Sequence, residues 1–240
     1  MKLCGIRINC LHLEDLFKES DECKLLVTVN AEAIVRAQKE ARLKNIINSH
    51  YASIDGQVPL WMFRSRHKGV EVDKISGSDL IYDVAQWAAK TGKRIYLLGG
   101  LEESNEKAVR ILAEKYPELV ITGYSPEYSA YPFPEEKNQR IIKSIKDFQP
   151  HILFVGFGMG KQEFWSEDFF NELSESGVEL IVGCGGTFEF VSGKIKRAPK
   201  KVQQIGMEGI WRLFQEMKWF RFKRLMTSFK IFYYYWKMEE

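Results

Sequence analysis

Three short apolar runs in this chain each stop at a cluster of glycines, and this punctuation constrains the fold more than any other feature. Arg94-Ile95-Tyr96-Leu97-Leu98 runs into Gly99-Gly100, and His151-Ile152-Leu153-Phe154-Val155 into Gly156-Phe157-Gly158-Met159-Gly160. The third, Val178-Glu179-Leu180-Ile181-Val182, runs into Gly183-Cys184-Gly185-Gly186. Runs with apolar residues at consecutive positions suit strands buried on both faces. Leu25-Leu26-Val27-Thr28-Val29 reads as a fourth strand and Tyr51-Ala52-Ser53-Ile54, ending at Asp55-Gly56, as a fifth. Residues 119–122 form a weaker one. Helical patterns fill the gaps: from Asn30 to about Asn48, from Gly77 to Lys90, from Glu102 to Lys115 and from Glu135 to Phe148. Another follows Gly160. This alternation predicts an α/β fold, a Rossmann-like and mostly parallel sheet with helices on both faces.

In such sheets ligands gather at the carboxyl ends of the strands, where glycine lets backbone approach a phosphate closely. One glycine cluster alone reads first as a tight strand-to-helix turn; three together point to a nucleotide. It is not a classical dinucleotide site, because Gly156-Phe157-Gly158-Met159-Gly160 is followed by Lys161 and G-x-G-x-x-G fails. The G-x-x-x-x-G-K-[ST] phosphate loop is absent as well.

Charge divides the chain unevenly. After residue 193 there are 12 Lys/Arg against 4 acids, whereas the preceding body holds 23 bases and 28 acids. Between Trp211 and Trp236, 11 of 26 residues are aromatic, and Arg212, Lys218, Arg221, Lys223, Arg224 and Lys230 are interleaved with them. Basic residues alternating with Trp and Phe suit a helix lying in a membrane interface. A helix docked on the body, apolar side inward, is the plain alternative, and a base-stacking nucleic-acid patch the weakest. The expected division is therefore a catalytic domain over residues 1–195 and a helical basic-aromatic appendage over 196–240. No run reaches the roughly 18–20 apolar residues that span a bilayer. The start of the chain lacks an apolar signal core, and Cys4, Cys10, Cys23 and Cys184 show no C-x-x-C spacing. A reducing cytoplasm is the expected home.

The motifs occur in a recognisable order. Val27-Thr28-Val29-Asn30, Asp55-Gly56, Ser76-Gly77-Ser78-Asp79-Leu80, Tyr96-Leu97-Leu98-Gly99-Gly100, Gly156-Phe157-Gly158-Met159-Gly160-Lys161-Gln162-Glu163, Gly185-Gly186-Thr187-Phe188 and Lys196-Arg197-Ala198-Pro199 follow one another along most of the chain. The sequence thereby resembles the WecG/TagA/CpsF family of bacterial glycosyltransferases. The resemblance implies an inverting transfer of a sugar, N-acetylmannosamine or a related hexose or uronate, from a UDP-sugar onto a polyprenyl-diphosphate-linked sugar. That reaction builds cell-surface polysaccharide such as teichoic acid linkage units or capsule. It implies a peripheral position on the inner face of the cell membrane.

Carried over residue by residue, the resemblance makes Asp55 the base for the acceptor hydroxyl; its plain role is an Asx turn before Gly56. Thr28 and Asn30 would line the sugar pocket, although Asn30 also suits a helix N-cap and Thr28 a buried strand position. Gly99, Gly100, Phe157, Gly158, Gly185 and Gly186 would pass beside the nucleotide with Gln162. Lys161 could offset phosphate charge, unless Lys161-Gln162-Glu163 is only a solvated first helical turn. Glu189, where many relatives carry Asp, would accept the uracil N3–H, a proton cytosine lacks.

The leaving diphosphate needs a metal or cationic side chains. None of the eight aspartates has an Asp two residues away, and His12, His50, His67 and His151 make no ligand spacing. No metal and no other cofactor is expected. The resemblance places the diphosphate on arginines of the appendage, for which Arg212, Arg221 and Arg224 are the candidates. Expected partners are the UDP-sugar, the lipid-linked acceptor and the membrane surface, without nucleic acid; a homo-oligomer is left open. Another nucleotide-dependent Rossmann enzyme, or a membrane-associated binding protein without catalysis, are the competing readings.

Overall fold

The computed structural model describes residues 1–18 and 22–238. Two short strands, β1 (Lys2–Leu3) and β2 (Ile6–Arg7), form an antiparallel hairpin. β3 (Lys24–Val29) leads into α1 (Ala31–Ala37) and α2 (Ala41–Ser49), and β4 (Tyr51–Ile54) into α3 (Gln57–Arg66). There follow α4 (Gly77–Thr91), β5 (Arg94–Gly99), α5 (Glu102–Lys115), β6 (Val120–Tyr124), α6 (Glu135–Phe148) and β7 (Ile152–Gly156). Next come α7 (Lys161–Asp168), α8 (Phe170–Glu175), β8 (Leu180–Gly183) and α9 (Thr187–Val191). The C-terminal stretch is wholly helical in its regular elements: α10 (Lys200–Gln204), α11 (Glu208–Glu216), α12 (Trp219–Ser228) and α13 (Lys230–Lys237).

Six strands form one parallel sheet in the order β4-β3-β8-β7-β5-β6, with helices around it. The Rossmann-like reading and the helical appendage both hold. One predicted helix does not run through: the stretch from Asn30 to Asn48 breaks at residues 38–40 into α1 and α2. The cause is a side chain rather than a breaker residue. The Gln38 amide donates to Cys4 O (2.7 Å) and back to Ile34 O (3.2 Å), so a tertiary partner competes with helix continuation.

The chain forms two compact units. The first comprises Met1–Lys18, Val27–Ser76 and the segment from Ile195 on. The strands that lead into it are well covered: every residue of β3 is buried, as are three of four in β4. α3 starts two residues after Asp55, and Pro59 sits in its first turn, where a missing N–H costs no helical bond. Arg66, at the end of α3, donates to the Tyr235 and Met238 carbonyls and lies 4.3 Å over the Tyr235 ring, which caps α13. Ile231 is the one residue of α13 that is buried.

The second unit comprises residues 22–26 and Gly77–Lys194. Register decides where its glycines go. Gly99 at the end of β5 lies opposite Gly156 of β7, and Val155 lies opposite Gly183 of β8, so the three glycine ends line up along one edge. The fully buried Trp165 and Phe154 fill the core of this unit. Burying such side chains stabilises a fold by about 1.5–3 kcal/mol each.

Candidate active site

In the second unit the strand ends are packed so tightly that only backbone fits between them. The Phe188 ring, from the first turn of α9, lies against two of the turns. A Cβ on Gly100 would fall 2.8 Å from Phe188 Cδ2, and one on Gly156 2.8 Å from Phe188 Cε2. Gly100 also has φ +74°, which an L side chain rarely adopts. Its N–H donates to Gly156 O at 3.1 Å, joining the β5 and β7 ends directly.

Gln162 locks the remaining turns. Its side chain is buried in the first turn of α7, and its Oε1 accepts from Gly158 N–H (3.2 Å) and Gly185 N–H (3.0 Å). Its Nε2 donates to Glu163 Oε1 at 2.8 Å, and Glu163 Oε2 accepts the Gly160 N–H at 2.5 Å. One amide and one carboxylate thus hold the loop after β7 to the loop after β8. The sequence pointed to Gln162; Glu163 and Phe188 escaped it, although both stand inside quoted motifs. Their signal was present but ambiguous, since a Glu in a first helical turn and a Phe after two glycines are ordinary.

Other predicted residues of this unit take less direct positions. Phe157 packs edge-on to Phe133 (5.0 Å) and Trp165 (5.6 Å), so its ring braces the loop from within. Gly186 precedes α9 as its N-cap. Lys161 turns to the loop after β6: its Nζ donates to Ser129 O (3.1 Å) and lies 4.4 Å over the Tyr128 ring. Glu189 has one carboxylate oxygen, Oε2, buried and without a hydrogen-bond partner among the described residues. A buried acceptor left unpaired is costly and marks a place where a donor is missing. Cys184 is buried as a free thiol. Burial, and then the Glu189 charge, pushes its thiol far above the ordinary range.

In the first unit, Thr28 and Asn30 sit at the end of β3 and Asp55 at the end of β4. The Asp55 N–H donates to Val29 O at 2.9 Å, which brings the three predicted residues to neighbouring strand ends. Asn30 caps α1, its Oδ1 accepting the Ala33 N–H at 3.0 Å. Lys74 bridges to Ile54, the residue before Asp55.

The appendage sorts its cations by type. Lys218, Lys223 and Lys230 stay exposed, whereas the three arginines turn toward carboxylates. Glu216 Oε1 accepts from Arg212 Nε (2.7 Å) and Arg221 Nη2 (2.9 Å), and Glu32 Oε2 accepts from Arg224 Nε (2.6 Å). Burial raises the Glu216 carboxyl, but hydrogen bonds from Arg212 and Arg221 outweigh it and hold the group below its usual range. Burial, then the Arg212 charge, pulls the Arg221 guanidinium below its ordinary value, with Glu216 opposing only in part. Most of the aromatics face outward: Phe214, Trp219 and Trp236 are 68–81% exposed, whereas Trp211, Tyr234 and Tyr235 are half-buried. Among the described residues no helix is long and apolar enough to cross a membrane.

Among the described residues no three His, Cys, Asp or Glu side chains are grouped so that they could hold a metal ion. The second unit carries glycine turns built at its strand ends; the first, taken by itself, carries Asp55 at a strand end and the three arginines paired with carboxylates. The model of the glycosyl transferase WecG/TagA/CpsF family matches residues 1–239, and the chain accordingly belongs to that family of glycosyltransferases, enzymes of cell-surface polysaccharide synthesis.

Proposed function

We propose that the enzyme moves a sugar, N-acetylmannosamine or a related hexose or uronate, from a UDP-sugar to a polyprenyl-diphosphate-linked glycan, with inversion. The observation that carries this reading is the cradle tied by Gln162, where Gly158 and Gly185 present backbone and no side chain has room at Gly100 or Gly156. Glycine turns at the carboxyl ends of parallel strands let a nucleoside diphosphate come close to the chain, with Gln162 holding the turns in place by engaging the Gly158 and Gly185 N–H groups itself. The unpartnered Glu189 oxygen suits an imide N–H, the group that distinguishes uracil from cytosine. Asp55 is the base that takes the acceptor proton, and Arg212, Arg221 and Arg224 balance diphosphate charge in place of a metal. The outward aromatics and exposed lysines of α11–α13 rest on the inner face of the membrane.

The test is release of UDP from a panel of UDP-sugars in the presence of prenyl-diphosphate GlcNAc or prenyl-diphosphate hexoses. Turnover with no UDP-sugar, but with another nucleotide sugar, would refute the donor. In the same assay EDTA is expected to leave turnover unchanged. Loss of activity in chelator, restored by Mn²⁺ or Mg²⁺, would refute the metal-free mechanism.

Gln162→Ala is expected to raise the donor KM about tenfold. It strips the acceptor from two N–H groups, and leaving a buried donor unpaired costs about 1–3 kcal/mol. Because water reaches Gly158 and Gly185 in part, the loss falls at the lower end of that range. An unchanged KM would mean that the two loops hold their shape without the amide.

A further inference from the structure

In the arginine cluster of the first unit, guanidinium groups outnumber the carboxylates seen pairing with them among the described residues. Arg212, Arg221 and Arg224 bring three guanidinium groups, and Glu216 and Glu32 bring two carboxylates. A single oxygen, Glu216 Oε1, serves both Arg212 and Arg221. The Arg221 side chain is only 12% exposed. Its Nε, which shares an edge of the guanidinium with Nη2, is buried and has no partner among the described residues. Guanidinium edges pair best with two oxygens of one carboxylate or phosphate. Here Nη2 is taken and Nε waits, so the edge is half filled. A packing role for Arg221 would not leave that donor buried and empty. A site for a larger anion would.

We propose that Glu216 is a placeholder anion: its Oε1 keeps Arg212 and Arg221 side by side in the ligand-free enzyme, and a diphosphate takes over the Arg221 edge, Nε included, on binding. Glu32 does the same for Arg224. The inference rests on the reading that these arginines serve the diphosphate. Glu216 is then a positioning residue that acts through Arg221, and it competes with the ligand it prepares for. Its carboxylate orients the guanidinium groups and prevents mutual repulsion, yet its charge must be displaced, or shared, when the diphosphate arrives. Removing the charge while keeping the shape therefore favours the ligand.

The experiment is calorimetric titration of the full-length protein with inorganic pyrophosphate at one fixed ionic strength. Glu216→Gln retains a carbonyl oxygen for both arginines and loses the charge, so its affinity for pyrophosphate should rise about fivefold over wild type. Arg221→Ala should lower it at least fivefold. With lipid-linked acceptor, Glu216→Gln should lower KM without raising kcat, a split that a loss of mere packing does not produce. Should Glu216→Gln fail to fold, Glu32→Gln carries the same expectation. If Arg221→Ala weakens pyrophosphate binding but the Gln variant binds no tighter than wild type, the placeholder role is overturned and the arginine reading stands. If Arg221→Ala leaves pyrophosphate binding unchanged, the arginine reading falls, and the inference with it.

Discussion

Asp55→Asn lowers kcat by about a hundredfold or more and leaves UDP affinity within a few-fold of wild type: this is the largest effect expected from any single substitution. The exchange is nearly isosteric, and Asn supports an Asx turn before Gly56 as well as Asp does. What it removes is the ability to take a proton. General-base assistance is worth roughly 10²–10⁴ in rate, so the substitution separates the two roles of the residue cleanly. The surroundings should tolerate it. The backbone of Asp55 is held by its N–H bond to Val29 O, and Gly56 at φ +104° turns the chain into α3. Steady-state kinetics with a lipid-linked acceptor, alongside calorimetric UDP binding, make the measurement. Turnover within about threefold of wild type would remove Asp55 from the base role, and loss of UDP binding would make it structural.

The sheet was legible because its strands are covered on both faces. β5, β7 and β8 read as apolar runs ending in glycines, and at Gly100 and Gly156 the packing leaves no room for a side chain. Gly100 and Gly156 face the Phe188 ring at 2.8 Å from where a Cβ would stand, so the requirement is local and shows in the residue type. Phe188 itself could not be picked out, because an apolar ring that closes a cradle looks like any core residue. α3 was hidden by Pro59, which reads as a breaker until its place in the first turn is known.

Long-range pairs were illegible for a different reason. Arg224 meets Glu32 across 192 positions of sequence, and Gln38 reaches Cys4 across 34. Nothing near either residue announces the partner. The arginines of the appendage could be nominated from the resemblance, but not the carboxylates that neutralise them. The same blindness applied to the aromatics. Composition left open whether they face inward or outward, and only their exposure in the fold shows that most face outward while Trp211, Tyr234 and Tyr235 are half-buried.

That outward orientation gives the second large effect. Replacing Lys218, Lys223 and Lys230 together by Gln is expected to weaken binding to anionic liposomes about a hundredfold. Each basic residue near an anionic surface contributes about 1 kcal/mol, and the three are exposed and without a carboxylate at salt-bridge distance among the described residues. The arginines contribute less to this term, since Glu216 and Glu32 already engage them. Trp219 stacks on Phe222 with ring centroids 5.3 Å apart, and Lys223 Nζ lies 5.8 Å from the Trp219 ring. Aromatic and cation are therefore presented together, the arrangement that holds a helix at headgroup depth. Raising salt should weaken binding of the intact chain toward a floor set by the aromatics, because screening acts on the charges alone. Co-sedimentation with vesicles of graded anionic lipid content gives the partition coefficient. A soluble short-chain acceptor supplies the control: there the triple variant should turn over like wild type, since none of the three lysines belongs to the diphosphate set. Undiminished liposome binding by the triple variant would show that the aromatic face, or another surface, carries the attachment without them.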